Sequence, residues 1–551
     1  MLNLGSTVNL KALDLAQLIL DLRGDLSHQF SLDTQPDRLK FAEWLLLAGI
    51  KEYRALGELP VFKAWLNQPS PIPGLSLMQD LLWSARPDVQ KFYPRPHATT
   101  GYLDWFFRHG VGEHALWPVL TQIDRHRACL QDGPWQSLLS QLDSSEHEQI
   151  PIQRATQQQL GVNLVGYVHG QLGIGEDVRM AAIACDAVGL KTAMVNFPPG
   201  HDVPQNDMSL ADRVVDRGPY PINIFCLTAL EHGRFYAERG ATQLEEHYNI
   251  GYWPWELSQW PKEWRQLVHL VDEVWVSTRH TMAAVQPYCS ALQPPIPVKW
   301  MPMAVPVQIR QKSTKELENQ RQVTRKNREL PLSACLFCFS FDLNSSIHRK
   351  DPEAALNAFL MAFPLEKFGP EEVGLVLKVH PPKTPHRAWS ALKSLAKQDK
   401  RLHIIEETLP RAELLSLYQA CDCFVSLHRA EGFGRGIAEA LQLGLRLIVT
   451  DYSGNVDFCR LAEFSNRIKR IQYRLVKVGT GQYPYAENQV WARANKRTAA
   501  MAMVEVFAEV KTSKGKLMAV PEGGWPMFSP EQVGRRYLER LNEIRTQRHL
   551  I

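Results

Sequence analysis

Two carboxylates, Glu431 and Glu439, stand with seven residues between them around a glycine-rich turn, Glu431-Gly432-Phe433-Gly434-Arg435-Gly436. A short apolar run ending at Ser426 precedes the turn, and a helical pattern follows it. Free backbone amides at a helix start bind anionic or hydroxyl oxygens. Carboxylates placed beside them can hold sugar and ribose hydroxyls; an acid satisfied by the helix dipole is the competing reading for Glu431. A second cluster, Arg349-Lys350, follows another apolar strand pattern and opens a helix. Adjacent cations do little for a helix start but suit a diphosphate, with Arg giving a fork and Lys a point charge. A third, Gly170-Gln-Leu-Gly173-Ile-Gly175-Glu176, is a turn that lets backbone approach a phosphate. A fourth is Trp253-Pro-Trp255-Glu256, with Glu231-His232 after the preceding strand. Aromatics beside a carboxylate suit the acceptor side of a sugar site, so Glu256, Trp253 and His232 are acceptor-side candidates. Core packing is the competing reading for both tryptophans and the histidine.

The Glu431-x7-Glu439 spacing with Gly-Phe-Gly inside it resembles the motif of GT-B glycosyltransferases. More narrowly it is similar to the retaining family 4 (group 1) enzymes of bacterial polysaccharide synthesis. Asp451-Tyr-Ser-Gly454-Asn455-Val-Asp457 resembles the segment those enzymes place next, and the likeness runs over residues 160–510. It implies an α/β fold of two doubly wound, Rossmann-like domains facing a cleft. It also implies a nucleoside-diphosphate sugar as donor, with a glycan or lipid-linked acceptor. Glu439 would bind the donor ribose and Glu431 the donor sugar. Gly432 and the Phe433 and Gly434 amides would face sugar or phosphate oxygens, and Gly173 and Gly175 would flank donor phosphate or acceptor. Arg349 and Lys350 would neutralise the leaving diphosphate. Arg435 departs from the family's aliphatic residue there, to contact phosphate or to face solvent.

Alternating apolar runs and helical patterns position these residues. Strands are expected at 161–168, 192–196, 222–227, 248–253 and 273–277, and again at 334–341, 373–379, 402–405, 423–426 and 445–450. Such alternation gives βα units and parallel sheets. The division expected is a helical region over 1–155, a first Rossmann-like, acceptor-side domain over 156–308, a donor domain over 309–510 and closing helices over 511–551. Within the first region, Phe41, Trp44, Gly49 and Glu52 are echoed by Tyr102, Trp105, Gly110 and Glu113 at the same Trp-Gly-Glu spacing. Two copies of a helix-turn unit, serving as a partner site or a packing cap, or plain coincidence, account for this. The stretch 310–330 holds seven basic and three acidic residues. It reads as a solvated linker or helix face, with anionic lipid or phosphate contact as the alternative.

Composition excludes other classes. The chain has 551 residues, 45% of them hydrophobic and 22% charged, as in globular proteins. A net charge of +4 is too weak for a dedicated nucleic-acid binder. Nine cysteines, an odd count, argue against a disulfide scaffold; Cys335 and Cys338, and Cys421 and Cys423, fit buried strands better than a zinc site. No secretory pattern or membrane-length apolar run is present, which predicts a cytoplasmic protein, either free or peripheral to the inner membrane face. Asp-x-Asp is missing, as are the P-loop and the zinc-protease and hydrolase motifs, so no cofactor and no metal are expected. A catalytically silent scaffold acting through the helical repeat is the alternative function, and an NAD enzyme a weaker third.

Overall fold

The computed structural model describes residues 11–94, 96, 101–147, 160–199, 203–307, 314–381 and 387–548. Two six-stranded parallel sheets form its centre. The first contains β1 (Gly161–Gly166), β2 (Lys191–Asn196), β3 (Ile222–Cys226), β4 (Tyr248–Tyr252), β5 (Glu273–Val276) and β6 (Val298–Trp300), in the order β2-β1-β3-β4-β5-β6. The second contains β7 (Cys335–Asp342), β8 (Val373–His380), β9 (Leu402–Glu406), β10 (Cys423–Ser426), β11 (Arg446–Thr450) and β12 (Ile468–Ile471), in the order β12-β11-β10-β7-β8-β9. Every residue of β1, β3, β4, β5, β10 and β11 is buried, as expected for strands covered by helices on both faces. A small antiparallel hairpin, β13 (Tyr473–Lys477) with β14 (Val490–Ala494), follows β12. All four cysteines of the Cys-x-x-Cys and Cys-x-Cys pairs are buried and free.

The last helix, Pro530–Arg548, returns to the first sheet and packs along the helix Gly173–Ala187. A Cβ at Gly534 would sit 2.0 Å from the Ala184 carbonyl oxygen, so glycine permits the close crossing. Arg540 reaches the fully buried Glu273 at 2.5 Å, and Trp275 Nε1 donates to the same carboxylate at 2.7 Å.

The described part of the N-terminal region is helical. Its two sequence echoes adopt one structure. The helices Gln35–Trp44 and Gly101–Trp105 each run into a π-turn, Leu45–Gly49 and Phe106–Gly110. Arg23 lies over Trp44 and pairs with Asp25 at 2.8 Å and Glu52 at 2.5 Å. Arg86 lies over Trp105 and pairs with Asp88 and Glu113, each at 2.7 Å. The unit docks behind the first sheet, where a Cβ at Gly233 would meet the Leu18 side chain at 3.1 Å.

The basic stretch is built differently from a solvated face. On the helix Thr314–Asn327, Arg321 and Arg325 are buried and share Asp422 at 2.7 and 3.0 Å. Arg325 also donates to the Ala334 and Ala420 carbonyls. Arg328 pairs with Glu407 and Glu413. These three cations bind the helix to the second sheet, because a buried charge needs a partner. Among the described residues no helix is long and apolar enough to cross a membrane.

Candidate functional site

The carboxyl ends of the two sheets face each other across a cavity of about 570 Å³, where ligands of open α/β sheets bind. Beyond β10, His428 is buried and bridges Ser426 Oγ and Asn455 Oδ1, both at 2.9 Å, which fixes the path of the loop. The segment after β11 cradles the next residues. Ser453 Oγ accepts from the Glu431 amide at 2.8 Å, and the Gly454 amide donates to the Glu431 carbonyl at 2.9 Å. A Cβ at Gly454 would lie 1.9 Å from the Gly432 carbonyl oxygen, so only glycine fits. Gly434 takes φ +92° and caps the helix Arg435–Gln442. The Phe433 ring packs inward on Phe458 and Phe528.

Glu431, Arg349 and Lys350 come together. Arg349 and Lys350 end a short helical turn, Ile347–Lys350, and left-handed Asp351 then caps Pro352–Ala362. Lys350 Nζ is 2.5 Å from Glu431 Oε1, and Arg349 Nη1 is 3.3 Å from Oε2. Burial pushes the Glu431 carboxyl up, but the Lys350 charge, then that of Arg349, pull it further the other way, to about 2. Glu431 is therefore ionised at neutral pH. Burial lowers the Lys350 ammonium, against the opposing pull of Glu431. Arg349 Nη1 also donates to the Ala430 carbonyl, while Nε is buried with no hydrogen-bond partner among the described residues.

Three first-domain acids reach three second-domain arginines across the cleft. Glu256 Oε1 is 3.7 Å from Arg349 Nη2, Glu176 Oε1 is 2.6 Å from Arg411 Nη1, and Asp177 pairs with Arg435. Arg411 also holds Glu439 at 2.9 Å. Burial raises the Glu439 carboxyl, and Arg411 opposes the rise. Arg435 thus points at the opposite domain rather than at solvent, and its Nη1 is unpartnered among the described residues.

Gly173 lines the cavity and starts the helix Gly173–Ala187 with open space where a Cβ would be. Gly175 serves the turn itself, since a Cβ there would lie 2.2 Å from the Gly170 carbonyl oxygen. Glu256 lines the cavity; Trp253 and His232 do not. Both are fully buried, and the Trp253 indole donates to His232 Nδ1 at 3.3 Å. His232 stacks on Phe225, with ring centroids 3.6 Å apart. Their expected acceptor-side place therefore gives way to core packing. Spacing in the sequence offered no sign that Arg411 meets Glu176 or that Tyr483 meets Glu256, 235 and 227 residues away.

Burial depresses the His232 imidazole to about 3 from 6.5, so stability is complete above pH 6.5 and falls as the unfolded state alone takes up the proton, down to about pH 3. Between pH 7 and 5 this one group is expected to remove about 2 kcal/mol. Urea unfolding at both pH values should show that loss in the first-domain transition, and His232→Phe should reduce the difference.

Among the described residues no three His, Cys, Asp or Glu are grouped to hold a metal ion. The two facing parallel sheets, with their carboxyl edges across one cavity, define the fold as GT-B architecture. Residues 392–468 match the family Glycosyl transferases group 1. No curated protein matches the chain. A glycosyltransferase from Rickettsia africae ESF-5 superposes with a TM-score of 0.50 at 13% identity, covering 70% of this chain and 99% of that one. At this identity the likeness is one of fold. The catalytic domain of starch synthase IV from Arabidopsis thaliana, solved with ADP and acarbose, gives 0.48 at 11% identity over 70% and 99%. Sucrose-phosphate synthase from Thermosynechococcus elongatus gives 0.43 at 13% over 70% and 95%.

Proposed function

We propose that the protein moves a hexosyl group, with retention, from a nucleoside-diphosphate sugar to a glycan or lipid-linked acceptor in polysaccharide or glycoconjugate synthesis. The observation that carries this reading is the convergence of Arg349 and Lys350 on Glu431 beside the helix start at Gly434. Two cations at a cleft wall stabilise the charge that develops on a departing diphosphate. Glu431 then holds the donor sugar and Glu439 the ribose. The leaving phosphate takes the acceptor proton on the same face, which gives retention. With the leaving charge met by side chains, the reaction needs no divalent metal. Closure of the cleft excludes water and limits hydrolysis. The work site fitting this chemistry is the cytoplasm or the inner membrane face.

Thermal shift against UDP, GDP, ADP, CMP and NAD, with and without EDTA, tests this. One nucleoside diphosphate at a hundred times its Kd should add about 2.7 kcal/mol, unchanged by EDTA and lost in Glu439→Ala. Stabilisation by none of them would overturn the reading; stabilisation abolished by EDTA would overturn metal independence.

A further inference from the structure

We propose that Glu256 is an internal counter-ion of the phosphate site, displaced from Arg349 by the donor and then used, with Tyr483, to position the acceptor hydroxyl. The inference rests on the function proposed above and names a group that function does not require.

The backbone around Glu256 is pinned to its own domain. His280 Nε2 lies 2.9 Å from the Glu256 carbonyl oxygen, and Thr281 Oγ1 donates to the Trp255 carbonyl at 2.9 Å. The carboxylate leans across the cleft with its two oxygens in different company. Oε2 accepts a hydrogen bond from Tyr483 OH at 2.6 Å, whereas Oε1 lies 3.7 Å from Arg349 Nη2. The first contact is a hydrogen bond and the second only a charge attraction. Arg349 therefore has capacity left, because its Nε is buried and unpartnered among the described residues. A diphosphate offers two phosphate oxygens to that planar guanidinium as a bidentate acceptor and outcompetes a carboxylate at 3.7 Å.

In the donor-free site two cations, Arg349 and Lys350, face two carboxylates, Glu431 and Glu256. A bound diphosphate brings further negative charge, so one protein acid must let go. Glu431 is held by both cations at 2.5 and 3.3 Å; Glu256 is the looser. Once free of Arg349 it stays anchored by Tyr483. That tyrosine lies in the loop between β13 and β14, whose ring sits 5.9 Å from the Trp255 ring. Glu256 Oε1 then faces the cavity from the first domain, opposite the donor, where it accepts a hydrogen bond from an incoming hydroxyl. Water, the smallest acceptor, uses the same place.

The test measures two quantities on the full chain: affinity for UDP, GDP and ADP by calorimetry, and slow hydrolysis of the corresponding sugar nucleotide. In Glu256→Gln the diphosphate that binds wild type should bind about twofold to fivefold tighter, the weight of a partly exposed charge pair. Hydrolysis should fall about 10²-fold, as for a misplaced reactant. Tyr483→Phe, which keeps the charge and loses the anchor, should slow hydrolysis without tightening the diphosphate. A merely structural role would weaken both readouts together. Unchanged or weaker diphosphate binding in folded Glu256→Gln, or unchanged hydrolysis, overturns the inference alone. A wild-type chain that binds no nucleoside diphosphate overturns the function beneath it.

Discussion

Replacing Lys350 by alanine should slow sugar transfer by about 10²–10³-fold, the usual loss when one preorganised electrostatic contact to a developing charge is removed. The ammonium lies 2.5 Å from Glu431 and lines the cavity, so it can follow a phosphate oxygen as charge builds there. Arg349 remains to hold Glu431 at 3.3 Å, so the variant should fold. Steady-state rates with the donor identified by thermal shift would check this. A turnover within threefold of wild type would remove Lys350 from the mechanism.

Arg540→Met should cost about 3–5 kcal/mol, because it strands the fully buried Glu273 without its cation. The guanidinium donates to both oxygens of that carboxylate, through Nε and Nη2. At about 2–4 °C per kcal/mol for a domain of this size, the first-domain melting transition should drop by about 6–20 °C. Calorimetry resolves such a shift. A companion change, Glu273→Leu in the same chain, should restore part of the loss, since an apolar replacement of both partners leaves no orphan charge. Arg540 acts far from the cleft, so nucleotide affinity should stay at the wild-type value below the transition.

The parallel strands were legible because burial on both faces writes near-continuous apolar runs, as in Cys335-Leu-Phe-Cys-Phe339 and Leu447-Ile-Val449. β6 spans three residues, and β12 reads Ile-Lys-Arg-Ile, so neither leaves such a run. β13, Tyr-Arg-Leu-Val-Lys, is exposed along most of its length, so its apolar residues mark no core face. Glu431, Arg349 and Lys350 were legible because each follows a strand and stands at a helix start, and Glu439 because it sits on the helix that the same turn opens. Arg411 and Asp177 were not: their partners, Glu176 and Arg435, lie in the opposite domain, and local spacing carries no trace of that. Trp253 and His232 show the converse. Aromatic density looks the same in a sugar platform and in a core, and only burial separates the two.

The return of the last helix to the first sheet has a consequence for synthesis. Domains generally fold as units while the chain leaves the ribosome, amino-terminal ones first. Here the first sheet is complete in the nascent chain once Trp300 has emerged, yet Arg540 and Tyr537, which cover Glu273 and Trp275, are made only after every strand of the second sheet. Until then Glu273 is an uncompensated acid under an open apolar face. The second sheet, whose strands all lie between Cys335 and Ile471, is closed by nearer chain: Lys496–Thr512 packs on Pro352–Ala362, and Phe528 on Phe433 and Phe458. On the ribosome the order of completion should therefore invert, with the later domain maturing before the earlier one is sealed.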